Sequence, residues 1–320
     1  MSDKTYRDRI LSYALIAHRR FYKKEKIKVL NLANQEFKAM GYATALLYPD
    51  HAKGEAVNLL IGDVRQARTI VVSAYDTPIK SFGLFPYEPF DIKNYKRKYL
   101  SSVLIPLLII CLICFVFSTV FMRFDLFTEG LTVPNFIVLL FYLLGIATII
   151  HYSKGIPNAK NFNRNSSGVI ALFELAERLS NQPDASVAFV LTDHGSSNHL
   201  GDIMLKEYLG VQETASKTFL VLDTIGMGDT IGINYSPPCK TLISQITSDG
   251  FNIRCYPEDN NHFSIAHIYP RSIYLSCTFN AQPDAFTITR TSSSKDIDID
   301  LNCLEHVTQL AMTLIKRNSR

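Results

Sequence analysis

Apolar and polar residues alternate along the chain in two regular patterns. Apolar residues recur three and four positions apart in stretches that predict amphipathic helices at 8–41, 166–182, 198–210, 240–251 and 300–317. Between them, short and nearly continuous apolar runs predict strands at 43–49, 56–62, 68–76, 186–193, 217–226 and 271–277. Strands that alternate with helices in this way indicate an α/β fold, with a mostly parallel central sheet and helices on both faces.

Two longer runs are too apolar for this pattern. Residues 101–122 and 133–150 contain no charged side chain. At about 1.5 Å per residue the first run would extend roughly 33 Å as a helix, enough to cross a hydrocarbon layer of about 30 Å. We therefore predict a two-helix transmembrane hairpin at 99–151. A hairpin buried inside a soluble protein is the alternative.

Charged residues around the two runs predict which side of the membrane the remaining chain occupies. The outer flanks are rich in lysine, whereas the connection between the runs carries Arg123, Asp125 and Glu129. Positive charge marks the cytoplasmic side, so we expect a protein of the cell membrane with both termini in the cytoplasm. Residues 1–95 and 152–320 would then be the two parts of one cytosolic domain.

Composition narrows the possible function classes. Apolar residues make up 47% of the 320 residues and charged residues 19%, which is typical of a folded protein with a core. The net charge of +4 is small and the basic residues cluster beside the apolar runs, so nucleic acid is not an expected partner. The charged N-terminus predicts no signal peptide. The six cysteines are scattered, and we expect free thiols in a reducing compartment.

Three aspartates follow predicted strands. Asp76, Asp193 and Asp223 each come where an apolar run gives way to polar or turn-forming residues. Ligands of open α/β sheets bind at the carboxyl ends of the strands. The three carboxylates therefore predict a site at this edge of the sheet.

Five motifs accompany these strand ends, in the order "SAYDTP", "NFNRNSSG", "LTDHGSSNHLGD", "VLDTIG" and "ITRTSSSKD". They resemble the di-zinc aminopeptidase family, which includes aminopeptidases S and Y, glutaminyl cyclases, the transferrin receptor ectodomain, nicalin and nicastrin. The resemblance covers residues 55–315 apart from the hairpin. In particular, the chain resembles bacterial members with a transmembrane hairpin inserted between the first two metal-ligand motifs. The resemblance implies a zinc aminopeptidase-like domain.

The first two motifs depart from the family at their metal ligands. Where active members read His-Tyr-Asp-Thr-Pro, this chain has Ala74 in place of the histidine and keeps Asp76. The second family motif, Asn-Asp-Asn-x-Ser-Gly, contains an aspartate that bridges both metals. Arg164 stands at that position here, and a permanently cationic guanidinium would repel metal ions.

The remaining motifs lose further ligands. Gly195 and Ser196 stand where two glutamates supply the general base and a zinc ligand. Asp223 matches the fourth ligand, and the last histidine falls on Arg290 or Ser292. One retained ligand does not hold two zinc ions, since such sites use about three protein ligands or more. We therefore expect neither a catalytic residue nor a metal or other cofactor.

Two alternatives for these residues stay open. A rebuilt metal site would use Asp223, His194 and His262, with zinc as its cofactor. Alternatively, Arg164 pairs with Asp76 or Asp223 and replaces the charge of the metal, because an unpaired buried carboxylate is costly.

The predicted function is a membrane-anchored, inactive aminopeptidase-like protein that binds or regulates another membrane or cytosolic protein, or a peptide. One alternative is a working zinc-dependent aminopeptidase or other hydrolase with an atypical metal site. Another is a transmembrane adaptor that acts through its hairpin, where Cys111, Tyr142 and Gly145 would pack against other helices.

Overall fold

The computed structural model describes residues 3–49, 56–81, 89–90, 92–121, 133–153, 155–180, 186–246, 250–256, 265–278, 288 and 291–319. Within them, an eight-stranded mixed sheet has the order β1-β2-β4-β3-β5-β8-β6-β7. The strands are β1 Thr44–Leu47, β2 Asn58–Ile61, β3 Thr69–Ala74, β4 Val187–Thr192, β5 Thr218–Leu222, β6 Thr230–Tyr235, β7 Phe251–Cys255 and β8 Ser272–Thr278.

Helices connect most of the strands. The α-helices are α1 Asp3–Arg9, α2 Lys23–Ala39, α3 Ile92–Phe121, α4 Val133–Tyr152, α5 Ser167–Ser180, α6 Leu200–Leu209, α7 Val211–Ser216, α8 Lys240–Ile243, α9 Ile265–Ile268 and α10 Leu301–Ser319. Two π-helical segments, Ile10–Ile16 and Phe162–Ser166, precede α2 and α5, and a short 3-10 helix, Pro237–Cys239, precedes α8.

The centre of the sheet is parallel and its edges are mixed. Strands β4, β3, β5 and β8 run parallel to one another, whereas β1 pairs antiparallel with β2, β2 with β4, and β6 with β8. The central strands are buried, as their continuous apolar runs require. The predicted α/β fold with a mostly parallel central sheet is confirmed.

Apolar side chains cover both faces of the sheet. On one face, α1, α2, α5 and α10 form a large cluster in which the Phe37 and Phe173 rings stack with centroids 4.2 Å apart. On the other face, α6 and α9 form a smaller cluster in which Phe219 stacks on Tyr269 at 4.0 Å. The two clusters fix the sheet between helical layers, and its strand ends are thereby held in place.

Two predicted helices differ from the structure. The helix predicted at 8–41 is interrupted at 17–22, because Arg20 is buried and its backbone exchanges hydrogen bonds with Thr77 after β3. The helix predicted at 240–251 is confined to Lys240–Ile243. Gly250 adopts a left-handed φ of +82°, and the residues after it form β7 beside β6. Both differences come from long-range contacts that override local helical periodicity.

The two apolar runs form a helical hairpin. Helix α3 begins at Ile92, before the predicted start at residue 101, and α4 ends at Tyr152. The helices contact each other, with the Phe117 and Phe141 rings stacked at 3.6 Å. Both are long and apolar enough to cross a membrane. The end of the first predicted span, residue 122, lies outside the described residues.

Two of the cysteines lie side by side in the core. Cys277 at the end of β8 and Cys303 at the start of α10 are buried in the same cluster between strand and helix, with their Cα atoms 7.5 Å apart. Disulfides hold the two Cα atoms within about 7 Å of each other, so the free thiols expected from the sequence stay a prediction.

Candidate functional site

The carboxyl ends of β3, β4 and β5 form one edge of the sheet, called here the site edge. Ala74 of β3 is in register with Thr192 of β4, and Ser73 is in register with Leu222 of β5. The residues that follow these strands are therefore neighbours. They include the three predicted aspartates, Asp76, Asp193 and Asp223.

Arg164 and Tyr274 hold the carboxylate of Asp223. Arg164 lies in the π-helical segment before α5, and its Nη1 donates to Oδ1 of Asp223 in an ion pair. The Tyr274 hydroxyl donates to Oδ2 at 2.5 Å. The guanidinium is buried, so the pair is shielded from water and its attraction is strong. The predicted ion pair is present, and Asp223 is the partner.

Asp296 positions the segment that carries Arg164. Its Oδ1 accepts a hydrogen bond from the Asn163 amide at 2.6 Å, and its Oδ2 accepts one from the Arg164 amide at 3.2 Å. Burial raises the pKa of the Asp296 carboxyl to about 7, although these backbone hydrogen bonds oppose the shift. Asp296 is the aspartate of the fifth motif, "TSSSKD", and sequence reasoning assigned this aspartate no role.

Lys26 of α2 neutralises Asp193. Its Nζ lies 2.7 Å from Oδ1 of Asp193 and 3.2 Å from Nε2 of His194. The Asp193 carboxylate also accepts hydrogen bonds from the amides of Val57 and His194. Sequence reasoning missed this lysine. The signal was its spacing, because Lys26 shares the buried face of α2 with Val29, Leu30, Ala33 and Phe37.

Asp76 is buried beside this pair. Its carboxylate accepts a hydrogen bond from the Ser196 amide, 3.4 Å from Oδ1 and 3.3 Å from Oδ2. Burial raises the pKa of the Asp76 carboxyl and the Asp193 carboxylate raises it further, while Lys26 and other nearby cations oppose the shift. Burial also lowers the pKa of the Arg20 guanidinium to about 10, and Asp76 opposes that shift. Arg20 therefore remains a cation at neutral pH.

Small residues close the space between the ends of β3 and β4. A Cβ added to Gly195 would lie 2.4 Å from Cβ of Ala74 and 3.8 Å from Oδ1 of Asp76. The Ser196 hydroxyl accepts a hydrogen bond from Nδ2 of Asn165 at 2.7 Å. Positions 74 and 195 therefore pack against each other, and a longer side chain at 195 requires the backbone to move.

The remaining residues predicted for the site are Ser292, Arg290 and His262. Ser292 has a left-handed φ of +55°, and its carbonyl accepts a hydrogen bond from the Ser81 amide at 2.6 Å. This contact joins the fifth motif to the segment after β3. Arg290 and His262 lie outside the described residues.

The donor set at the site edge does not fit a zinc ion. Zinc sites in proteins use three or four His, Cys, Asp or Glu ligands. Among the described residues, no three such side chains converge to hold a metal. Arg164 forms an ion pair with Asp223, and Lys26 contacts both Asp193 and His194. A zinc ion at either place would have to displace a buried cation.

No family model matches the chain, and no curated protein sequence matches it. Solved structures do match. A glutaminyl cyclase from Bacteroides thetaiotaomicron, bound to N-acetylhistamine, has a TM-score of 0.54 at 16% identity, covering 96% of each chain. A Zn-dependent exopeptidase from Parabacteroides distasonis has a TM-score of 0.57 at 13% identity, covering 98% of this chain and 97% of that one.

The chain has the fold of zinc exopeptidases and glutaminyl cyclases. The LapA aminopeptidase of Legionella pneumophila shares it, with a TM-score of 0.52 at 11% identity over 99% of this chain and 71% of that one. The exopeptidase fold was expected from the five motifs. At these identities the likeness establishes the fold and leaves activity to be judged from the residues of the site edge.

Proposed function

We propose that this chain is a membrane-anchored, inactive aminopeptidase-like protein whose site edge binds a peptide or a segment of another membrane or cytosolic protein. The observation that carries the proposal is the buried ion pair of Arg164 with Asp223. Arginine supplies the positive charge here, but unlike a metal ion it cannot coordinate a water molecule. It therefore cannot activate water as a metal does.

Lys26 supports the same conclusion. It is the second cation at the edge, and it contacts Asp193 and also His194, the histidine that a rebuilt site would use. A general base must have a free oxygen or nitrogen directed at the reacting water. The Asp193 carboxylate accepts hydrogen bonds from Lys26 and from two backbone amides. Its oxygens therefore hold the loop after β4 in place and are not directed at a reacting water.

Anchoring is proposed from the surface of the hairpin. Leucine, isoleucine and phenylalanine side chains on both α3 and α4 are exposed, and in water this surface would be an aggregation site. We propose that α3 and α4 span the cell membrane, that residues 123–132 lie outside and that both termini lie in the cytoplasm. The lysine-rich flanks support this orientation.

Metal content tests the inactive state directly. Full-length protein purified in detergent is incubated with excess zinc, passed through gel filtration and analysed by elemental mass spectrometry, while hydrolysis of aminoacyl chromogenic substrates is followed in parallel. We expect no zinc retained and no chelator-sensitive hydrolysis. One or two retained zinc ions per chain, with hydrolysis that a chelator abolishes, would establish the hydrolase instead.

Two variants separate the outcomes further. In a hydrolase with an atypical metal site, His194→Ala and Asp223→Asn would each remove zinc and activity. In an inactive binding protein there is no zinc or hydrolysis to lose, and the two variants change stability and binding at the site edge. If exchange of the hairpin for an unrelated one abolishes partner binding while both site variants retain it, the chain is an adaptor that acts through its hairpin.

A further inference from the structure

An exposed apolar patch lies on the N-terminal π-helical segment. Leu11, Leu15 and Ile16 are 50%, 51% and 68% exposed, whereas Tyr13 and Ala14 on the opposite side are buried against the core. Leu11 and Ile16 are five residues apart, which makes them neighbours along a π-helix. These three side chains are called here the N-terminal patch.

The N-terminal patch lies on the same side of the domain as the hairpin. After Ile16 the chain reaches the site edge, where the Arg20 carbonyl accepts a hydrogen bond from the Thr77 amide at 3.1 Å. Tyr22 then stacks on His151 in the last turn of α4, with ring centroids 6.0 Å apart. The patch and the cytoplasmic end of the hairpin are therefore joined by a short, packed segment.

The hairpin itself leaves and re-enters the domain at the site edge. Its first connection follows β3, its second precedes α5, and the two are paired through Ile79 and Pro157. If α3 and α4 span the membrane, the site edge faces the bilayer. The opposite edge, where β5 begins after α7, faces away from it.

Basic side chains flank the N-terminal patch along the chain. Arg7, Arg19, Lys23 and Lys24 are exposed on the flanking segments. Two acids interrupt them, Asp8, which is exposed, and Glu25, which pairs with Arg19 at 3.3 Å. Cations around an exposed apolar face are typical of segments that lie in the interface of a membrane containing anionic lipids, because the negative lipid headgroups attract the cations.

We propose that Leu11, Leu15 and Ile16 insert into the cytoplasmic lipid interface and hold the site edge against an anionic membrane surface. This inference rests on the proposed membrane anchoring by α3 and α4. It deepens the proposed function, because the site edge would then accept only segments that lie close to the bilayer.

Single tryptophans test this contact, because the chain contains none. Leu15→Trp places one in the N-terminal patch. Leu112→Trp places one on α3, where the leucine is 61% exposed. Val211→Trp places one at the start of α7, at the opposite edge, where the valine is 77% exposed. Each full-length variant is reconstituted in phosphatidylcholine vesicles with phosphatidylglycerol. Nitroxide lipids labelled near the headgroup or near the chain end then quench the fluorescence.

We expect headgroup-level nitroxide to quench Leu15→Trp by about half, as for a side chain 5–10 Å into the interface. Chain-end nitroxide quenches Leu112→Trp, and neither lipid quenches Val211→Trp. Ile16→Trp serves as a second probe if Leu15→Trp unfolds the segment.

Each other outcome overturns a defined part of the proposal. Quenching of Leu112→Trp without quenching of either patch variant leaves anchoring intact and removes the interfacial contact. Patch variants that lipids do not quench, but that are shielded from aqueous iodide, overturn the lipid contact and indicate that protein covers the patch, either the same chain or a second copy of it. If Leu112→Trp is not quenched either, both the anchoring and the lipid contact are wrong.

Discussion

The two halves of the site edge balance their carboxylates in different ways. Around Asp223, one arginine and one tyrosine contact the two carboxylate oxygens. Around Asp76 and Asp193, Lys26 contacts only Asp193, and Asp76 accepts a backbone amide. In each half a cation contacts one carboxylate directly, and Asp76 is the carboxylate that has a backbone amide in place of a cation.

This difference shows how a buried carboxylate responds to its neighbours. The pKa of Asp76 is raised, because desolvation and the nearby Asp193 charge are only partly offset by cations. Asp223 is contacted directly by an arginine, so its charge is balanced locally. We infer that direct ion pairs hold Asp223 and Asp193, whereas Asp76 is held by a backbone amide and by packing.

Removal of the arginine has the largest expected effect. Arg164→Ala removes the arginine that contacts the carboxylate of Asp223, and the free energy of unfolding falls by about 3–5 kcal/mol. The measurement is denaturant unfolding of full-length protein in detergent. The control is the double variant Arg164→Ala/Asp223→Asn, which recovers much of the loss because no charge is left unpaired. A single variant as stable as the parent would contradict the ion-pair account.

Asp296→Asn has the next largest effect, and it depends on pH. The folded pKa of about 7 lies above the ordinary value of 3.8, so the parent loses stability as pH rises between these values. From the size of the shift we expect this loss to be roughly 2–4 kcal/mol. The variant lacks this dependence. If the stability of parent and variant changes with pH in the same way, Asp296 stays ionised between these pH values and the prediction is wrong.

Lys26→Met sharpens the comparison from the other half. The variant keeps the apolar stem but leaves Asp193 with backbone amides as its donors, so the loss is about 2–3 kcal/mol. Lys28→Met is a matched control, because Lys28 is exposed on the same helix and should change stability little. Equal effects at the two positions would mean that the Lys26 contact with Asp193 contributes nothing.

Tyr274→Phe has the smallest effect. It removes one hydrogen bond to Asp223 and retains the ring that packs on Phe90, so the loss is about 1–2 kcal/mol. Combined with Arg164→Ala, we expect more than the sum of the two losses, because Arg164 and Tyr274 contact the same carboxylate. Strict additivity would argue that Tyr274 and Arg164 act independently.

Much of the site edge is predictable from sequence. Strand periodicity places Asp76, Asp193 and Asp223 at neighbouring strand ends, and the second motif places Arg164 close enough to pair with a retained aspartate. Lys26 is not predictable in this way, because its partner lies more than a hundred residues away in sequence, beside His194.

The α/β pattern, the apolar hairpin and the residues at the family's ligand positions can all be read from the sequence. They depend on local periodicity and residue type, which any short stretch of chain displays. The sequence does not reveal which cation meets which carboxylate, where the helix at 8–41 breaks or which cysteines lie side by side. Those outcomes depend on contacts between distant segments, and such contacts form only when the sheet brings its strand ends together.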